Sequence, residues 1–463
     1  MNKVKTQAVN ASDRMGTAPV GKLLFSMAAP MIISMMVQAL YNIVDSIYVA
    51  EISENALTAV SLAFPMQMLM IAVSTGTGVG INAALSRSLG EGKRDYAGRV
   101  ARNGIFLIAA AVVVFTLVGL FGSGFFMRCQ TDIAEIVEGG TAYLSICMGL
   151  CVFLFFQVTF EKLLQSTGRT MFTMISQGTG AILNIIFDPV LIRGEWFFPE
   201  MGIAGAAAAT VFGQAVGCCL GLVFNLTVNR ELDLSFRRFR PEPHVIRTIL
   251  AVGVPSILMQ AIGSVMSFGM NQILLSFVST AAAVFGVYFK LQSIIFMPVF
   301  GLNNGMVPII AYNYGARNLQ RMRRTAKLAA ISATVLMLIG LAIMQTFPAQ
   351  LLLMFKADEN MLGIGVSALR TISLSFVFAG FGIVVSSVFQ ALGNGLYSLI
   401  LSFIRQVIVL LPVAWLMSLT GRLELVWLSF PIAEVVCMIC CLFLLVRVNR
   451  KVLRPLEQTV SEG

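Results

Sequence analysis

Between residues 23 and 49 the chain is apolar except at a few positions. Ser34, Gln38, Tyr41, Asn42 and Asp45 recur there at steps of three and four. That spacing gathers polar side chains on one face of a helix. About 27 residues rise roughly 40 Å, enough to cross a bilayer core with some tilt. Pro30 leaves the Ser26 carbonyl without its helical donor and makes a bend point. Eleven more apolar runs follow, at 57–84, 100–121, 138–162, 170–192, 203–227, 247–275, 282–310, 327–347, 363–388, 396–418 and 425–446. The pattern predicts an all-α polytopic membrane protein with twelve transmembrane helices.

The runs form two sets of six that match at one constant offset, the step from Pro30 to Pro255. At that offset Gly76, Gly80, Gly90, Gly140 and Gly168 fall on Gly301, Gly305, Gly315, Gly365 and Gly393. Five glycine matches exceed the roughly two that glycine frequency alone gives, and an ungapped register is the mark of a repeat. Six is an even number, so both halves enter from the same side. The repeat is then parallel, with its pseudo-twofold axis along the membrane normal. This divides the chain into a tail (1–22), a first six-helix bundle (23–228), a polar and basic linker (229–246), a second bundle (247–446) and a closing tail (447–463).

Composition agrees: 57% of residues are apolar and 12% charged, where a soluble domain carries about 25% charge. The net charge of +10 is unevenly placed. With the N-terminus inside, inner segments hold 24 of the 32 Lys and Arg, and outer loops hold four: Arg128, Arg193, Lys356 and Arg422. This asymmetry predicts cytoplasmic termini, and it accounts for the basic balance without nucleic acid. Residues 1–20 are polar and contain Asp13, so they do not form a cleavable signal. They are expected to be a mobile cytoplasmic tail or an arm on the membrane surface.

The eight Cys lie mostly in apolar runs, and the single His, His244, sits among loop arginines. Neither a disulfide framework nor a Cys/His metal site is visible. The stretch Gly16-Thr-Ala-Pro-Val-Gly21-Lys22 approaches a phosphate-binding loop. Leu23 stands where Ser or Thr is needed, however, and no strand precedes it. Without a nucleotide site, a transporter runs on an ion gradient.

The fifth run repeats the pattern of the first, with Thr173, Gln177, Gly180, Asn184 and Asp188 on one face. Pro189 frees the Ile185 carbonyl. Asp45 and Asp188 each lie about four residues from the outer end of their runs, at similar depth, and Thr210 enters from the sixth. Two carboxylates, an amide, a hydroxyl and a free carbonyl suit a proton or a Na+. At the repeat offset Asp45 becomes Met270, Asn184 becomes Val409 and Asp188 becomes Val413. A carboxylate pair present in one half only reads as machinery and not as scaffold, because intramembrane charge is costly.

Several stretches together resemble the multidrug and toxic compound extrusion (MATE) family, of prokaryotic type. They are Pro30…Asn42-Ile-Val-Asp45, Gly168-Arg169, Asn184-Ile-Ile-Phe-Asp188-Pro189, Gly202-Ile-Ala-Gly-Ala-Ala…Ala209-Thr210 and Tyr314-Gly315-Ala-Arg317-Asn318. The resemblance covers nearly the whole chain. It implies two six-helix bundles around a central V-shaped cavity in a bacterial inner membrane, and antiport of small amphipathic organic compounds or drugs against H+ or Na+. It further implies a cation site at Asp45, Asn184, Asp188 and Thr210. Some branches carry acids in the seventh and tenth spans; here the seventh has none and the tenth carries Arg370. The partners implied are a small organic substrate and membrane lipid, with a monomeric chain, no nucleic acid, no cofactor beyond the coupling ion and no enzyme activity.

The seventh run has its own polar stripe of Ser256, Gln260, Ser264, Ser267 and Asn271. Facing Gln38, Tyr41 and Asn42, it is expected to line the opposite cavity wall. Lys290 and Arg370 are expected to hold an anionic substrate group or to pair across the bundles. Glu161 and Lys162 are expected to form an interfacial pair, and Arg405 and Glu434, near mid-membrane, a structural pair. A second reading, a lipid or lipid-linked oligosaccharide flippase of related architecture, requires a cavity lined with basic residues. The acidic pair in the first half counts against it.

Overall fold

The computed structural model describes residues 11–194, 196, 198–237, 239–355 and 357–456. The expectations for residues 1–10, Lys356 and 457–463 lie outside the described residues. The protein is an all-α polytopic membrane protein. Its helices are α1 (Val20–Ile52), α2 (Glu54–Gly90), α3 (Arg94–Arg128), α5 (Thr170–Arg193), α6 (Ile203–Thr227), α7 (Pro243–Leu275), α8 (Ser279–Gly315), α9 (Leu319–Thr346), α11 (Gly395–Ser418) and α12 (Leu423–Leu456). Two bent pairs complete the set: α4 joins Ala134–Gly149 to Val152–Ser166 at 43°, and α10 joins Glu359–Ser373 to Phe376–Ala391 at 49°. Among the described residues ten helices are long and apolar enough to cross a membrane singly, and counting each bent pair as one span brings the number to twelve. The bends, at residues 150 and 375, occupy matching positions of the repeat. The apolar runs pass through both without interruption, so hydropathy alone predicts straight helices there.

Side chains fix the helix starts. Ser53 Oγ accepts from Ala56 N at 3.0 Å to cap α2, and Asp358 Oδ1 accepts from Met361 N at 2.8 Å to cap α10. Such caps satisfy amide groups that the first helical turn leaves open. Gly168 and Gly393 turn the chain after α4 and α10 with φ of +79° and +82°, a conformation that disfavours any residue with a Cβ. Pro412 in α11 removes the donor for the Ile408 carbonyl, and a π-turn spans Ile404–Leu410 just before it.

The repeat glycines join the two halves. A Cβ on Gly76 or Gly80 would lie 2.5 Å from Ile257 Cγ1 or 2.2 Å from the Ile249 oxygen, both on α7. Gly301 and Gly305 of α8 meet Ile32 and Ala28 of α1 in the same way, at 2.6 and 2.7 Å. Gly90 and Gly315 face the backbone oxygens of Tyr312 and Arg87, which are themselves repeat equivalents. Absence of a side chain lets helix backbones approach, the usual basis of association in a membrane. Hydrogen bonds between described residues of the two halves run from mid-bundle to the end that carries both termini. Examples are Gln260 Nε2 to Thr75 Oγ1 at 2.9 Å and Lys162 Nζ to Asn304 Oδ1 at 2.9 Å. The bundle is closed at that terminal end.

Residues 11–18 correct the expectation of a mobile tail or surface arm. They cross beneath the terminal end, and Met15 is fully buried. Ser12 binds Glu231, and Arg94 bridges Asp13 at 3.5 Å. From the second half, Asn313 Nδ2 donates to the Met15 oxygen at 3.0 Å, and Arg321 donates to the oxygens of Met15 (3.2 Å) and Ala18 (2.6 Å). Backbone carbonyls captured by an amide and a guanidinium hold the arm in place.

Candidate functional site

α1 and α5 lie side by side, so their polar stripes meet. Gln177 Nε2 of α5 donates to Gln38 Oε1 of α1 at 3.4 Å. Further along α5 Asp188 is fully buried, and Asn184 Nδ2 donates to its Oδ1 at 3.3 Å. The same amide reaches Thr210 Oγ1 of α6 at 3.3 Å. Close packing of α5 on α6 permits this. A Cβ on Gly180 would stand 2.7 Å from the Gly213 oxygen, and one on Gly213 would stand 2.5 Å from the Gly180 oxygen. Ser176 Oγ adds a bond to the Gly217 carbonyl at 2.7 Å.

Asp45 joins this group without a hydrogen bond to it. Asp45 lines a 220 Å³ cavity with Leu57, Val60, Ser61 and Phe64 of α2. Beside it Gln67 Nε2 donates to the Tyr143 hydroxyl at 3.0 Å. Among the described residues four buried oxygens here have no donor: Asp45 Oδ1, Asp188 Oδ2, Asn184 Oδ1 and Gln177 Oε1. A buried acceptor without a donor costs about 1–3 kcal/mol, and a buried carboxylate costs more. A proton or a hard cation would remove that cost, because oxygen donors are what such ions bind. Among the described residues no cluster of three His, Cys, Asp or Glu forms a transition-metal site. Asn184, Asp188 and Thr210 are thus linked, with Asp45 alongside.

The remaining expected residues are spread more widely. The stripe of α7 divides. Gln390 Nε2 reaches Ser256 within the second half at 3.3 Å, while Gln260 crosses to Thr75 of α2 at 2.9 Å. Ser264 and Asn42 are exposed, whereas Tyr41 and Asn271 are half-buried. Lys290 and Arg370 are both exposed. Lys290 Nζ stands 5.9 Å from the centroid of the Phe355 ring in its own half. Among the described residues neither cation makes an ion pair across the halves, so the expected cross-bundle pairing is absent from this conformation. Arg405 Nη1 and Glu434 Oε1 are 3.1 Å apart.

Glu161 and Lys162 depart from expectation: they are buried and do not pair with each other. Consecutive helical residues point in different directions. Glu161 turns into the first half, where Gln157 Nε2 donates to it at 3.0 Å. Lys162 turns outward to Asn304 of α8 and to Gln165 Oε1 at 3.0 Å. The signal for them is present in the sequence, since at the repeat offset they become Ser386 and Ser387. The asymmetry that singles out Asp45 therefore singles out these two as well.

Comparisons with known proteins follow the same lines. The family model described as MatE matches residues 30–190 and again residues 255–416. The two matches begin at the two equivalent prolines of the repeat, Pro30 and Pro255. The chain is 25% identical over 429 residues to the multidrug export protein MepA of Staphylococcus saprophyticus, covering 92% of this chain and 93% of that one. It is 24% identical to MepA of Staphylococcus aureus over 92% and 94% of the two chains. A structure reported as the outward-facing conformation of a multidrug resistance MATE family transporter of the MOP superfamily superposes with a TM-score of 0.89. Identity there is 28%, over 95% of this chain and 98% of the other. A MOP superfamily transporter from Pyrococcus furiosus, described as having reversed binding-pocket polarity, gives a TM-score of 0.88 at 28% identity. It covers 94% and 97% of the two chains.

Proposed function

Because this chain belongs to the MatE family, we propose that it exports small amphipathic organic compounds or drugs across the cytoplasmic membrane in exchange for H+ or Na+. The observation that carries the coupling is the set of donorless buried oxygens on Asp45, Asn184 and Asp188. The Lys and Arg distribution supports a cytoplasmic terminal end, and with that end closed we read the conformation as outward-facing. The two halves act as lobes: 23–228 and 247–446, joined by 229–246. In this state the first-lobe carboxylates take up a cation from outside, which offsets one of their two negative charges. The lobes then separate along the glycine seams and close at the opposite end, and the cation leaves to the cytoplasm. Gln38, Tyr41 and Asn42 of α1 and Gln260, Ser264 and Asn271 of α7 contribute the polar positions of the drug path, with Lys290 and Arg370 at its outer part. The flippase reading is not adopted: Arg405 is occupied by Glu434, and Lys290 rests against Phe355.

Efflux of a fluorescent cation from proteoliposomes, with pH and Na+ gradients imposed separately, tests the proposal. Asp188→Asn and Asp45→Asn should each abolish gradient-driven efflux while leaving insertion intact, and Asn184→Ala should be milder because no charge is lost. Near wild-type efflux in Asp188→Asn would overturn the coupling role.

A further inference from the structure

On the flank of the second half, remote from the cation site, α9, α10 and α12 leave a groove of 540 Å³ at the terminal end. Ala326, Val388 and Leu445 supply apolar walls, while Arg323, Asn449 and Arg454 stand at the rim. A π-turn over Asn449–Leu453 shapes that rim. A π-helix bonds residue i to i+5, so Asn449 and Arg454, five apart, share one side. Arg323 Nη2 donates to Asn449 Oδ1 at 2.9 Å, which orients the guanidinium along the rim. Charge is one-sided. Arg447, Arg450, Lys451 and Arg454 follow one another with no acid between them, and α9 brings Arg321, Arg323, Arg324 and Lys327, also without an acid. Among the described residues no Asp or Glu lines the groove.

The groove does not end at the rim. Val446, Leu442 and Ile439 follow at helical spacing along α12 and are 51%, 47% and 62% exposed. They form an apolar stripe leading from the groove into the hydrocarbon layer, as residues three and four apart share a helix face.

We propose that this groove is a binding site for an anionic phospholipid of the leaflet at the terminal end. Its phosphate lies between Arg323 and Arg454, and an acyl chain follows the stripe of Val446, Leu442 and Ile439. Paired guanidiniums suit a phosphodiester, and basic pockets between transmembrane helices are where lipid headgroups bind. Free phosphate would satisfy the arginines but gain nothing from the apolar walls. The occupant therefore carries both chemistries.

Native mass spectrometry of the full-length protein in detergent, titrated with phosphatidylglycerol and phosphatidylcholine, tests this. Wild type should bind one phosphatidylglycerol about tenfold more tightly than phosphatidylcholine, the scale of a charge-assisted contact. Arg323→Gln with Arg454→Gln should erase that preference, and Arg450→Gln, outside the groove, should keep it. Ala326→Trp should weaken phosphatidylglycerol binding with every charge in place. The exposed Arg454→Gln single variant should lower the preference severalfold even where the double variant proves unstable. Retention of the preference in Arg454→Gln, unchanged binding in Ala326→Trp, or full displacement by inorganic phosphate at equal concentration would each overturn the assignment.

Discussion

A methyl group at Gly80 tests whether the terminal-end seam opens during transport. In Gly80→Ala the new Cβ would sit 2.2 Å from the Ile249 oxygen and 3.1 Å from the Gly253 nitrogen. Both neighbours are helix backbone, so neither can rotate aside, and α2 and α7 must separate by about 1 Å to restore ordinary contact. Overpacking of this kind costs about 1–3 kcal/mol. If the seam exists in only one of two interconverting states, the whole cost falls on that state, and the equilibrium moves about 5–150-fold toward the other. The reporter is Thr77→Cys, at a position 6% exposed in the seam. Its maleimide labelling in membranes, followed at that peptide by mass spectrometry, should rise by a factor in that range. Gly305→Ala, at the equivalent position of the second half and 2.7 Å from Ala28 Cα, should act alike. Gly286→Ala, with nothing within 4 Å, should not. Unchanged labelling combined with a lower melting temperature would mean that the seam never opens, and would refute the reasoning.

Three further outcomes are expected. Arg405→Ala leaves the half-buried Glu434, inside an apolar span, without its partner at 3.1 Å; it should destabilise by about 1–3 kcal/mol, read as lost yield and melting temperature, with partial recovery in Arg405→Glu plus Glu434→Arg. Met15→Asp places a charge at a fully buried position of the arm, and limited proteolysis should then cut within residues 11–18 much faster than in wild type. At Glu91, in the loop after α2, burial pushes the carboxyl pKa up, but hydrogen bonds from Lys93 and Arg87 outweigh it and hold the value below the ordinary one. A depressed pKa stabilises the fold above the unfolded value and is lost as pH falls through the folded one. The melting-temperature gap between wild type and Glu91→Gln should thus be present at pH 7 and close as pH drops below the usual carboxylate range.

Much of the architecture is legible because the chain is written twice. The five matched glycines are visible as a register, and three of those pairs form the contacts between the halves. What the register cannot reveal is their purpose, since a glycine in an apolar run looks the same whether it faces lipid or a neighbouring backbone. The acids of the first half stand out against Met270 and Val413 in the second. The bends at residues 150 and 375 are illegible because no proline marks either, and Ser373 and Ser375 at the second are too weakly polar to break its apolar run. Glu161 and Lys162 suggest a pair only because adjacency in sequence passes for adjacency in space, which a helix forbids. The arm is hard to read because its polar composition conceals Met15, and its partners are scattered along the chain at residues 94, 231, 313 and 321.

That arm has a bearing on biogenesis. Asn313 and Arg321, which grip its carbonyls, lie 298 and 306 residues downstream of Met15. At the usual rate of about 5–20 residues per second, the arm waits roughly 15–60 s for its seat to be synthesised. Full seating therefore follows synthesis of α8 and α9, and a chain truncated before α8 holds the arm only through Glu231 and Arg94. The arm thus registers whether the polypeptide has been made as far as α9.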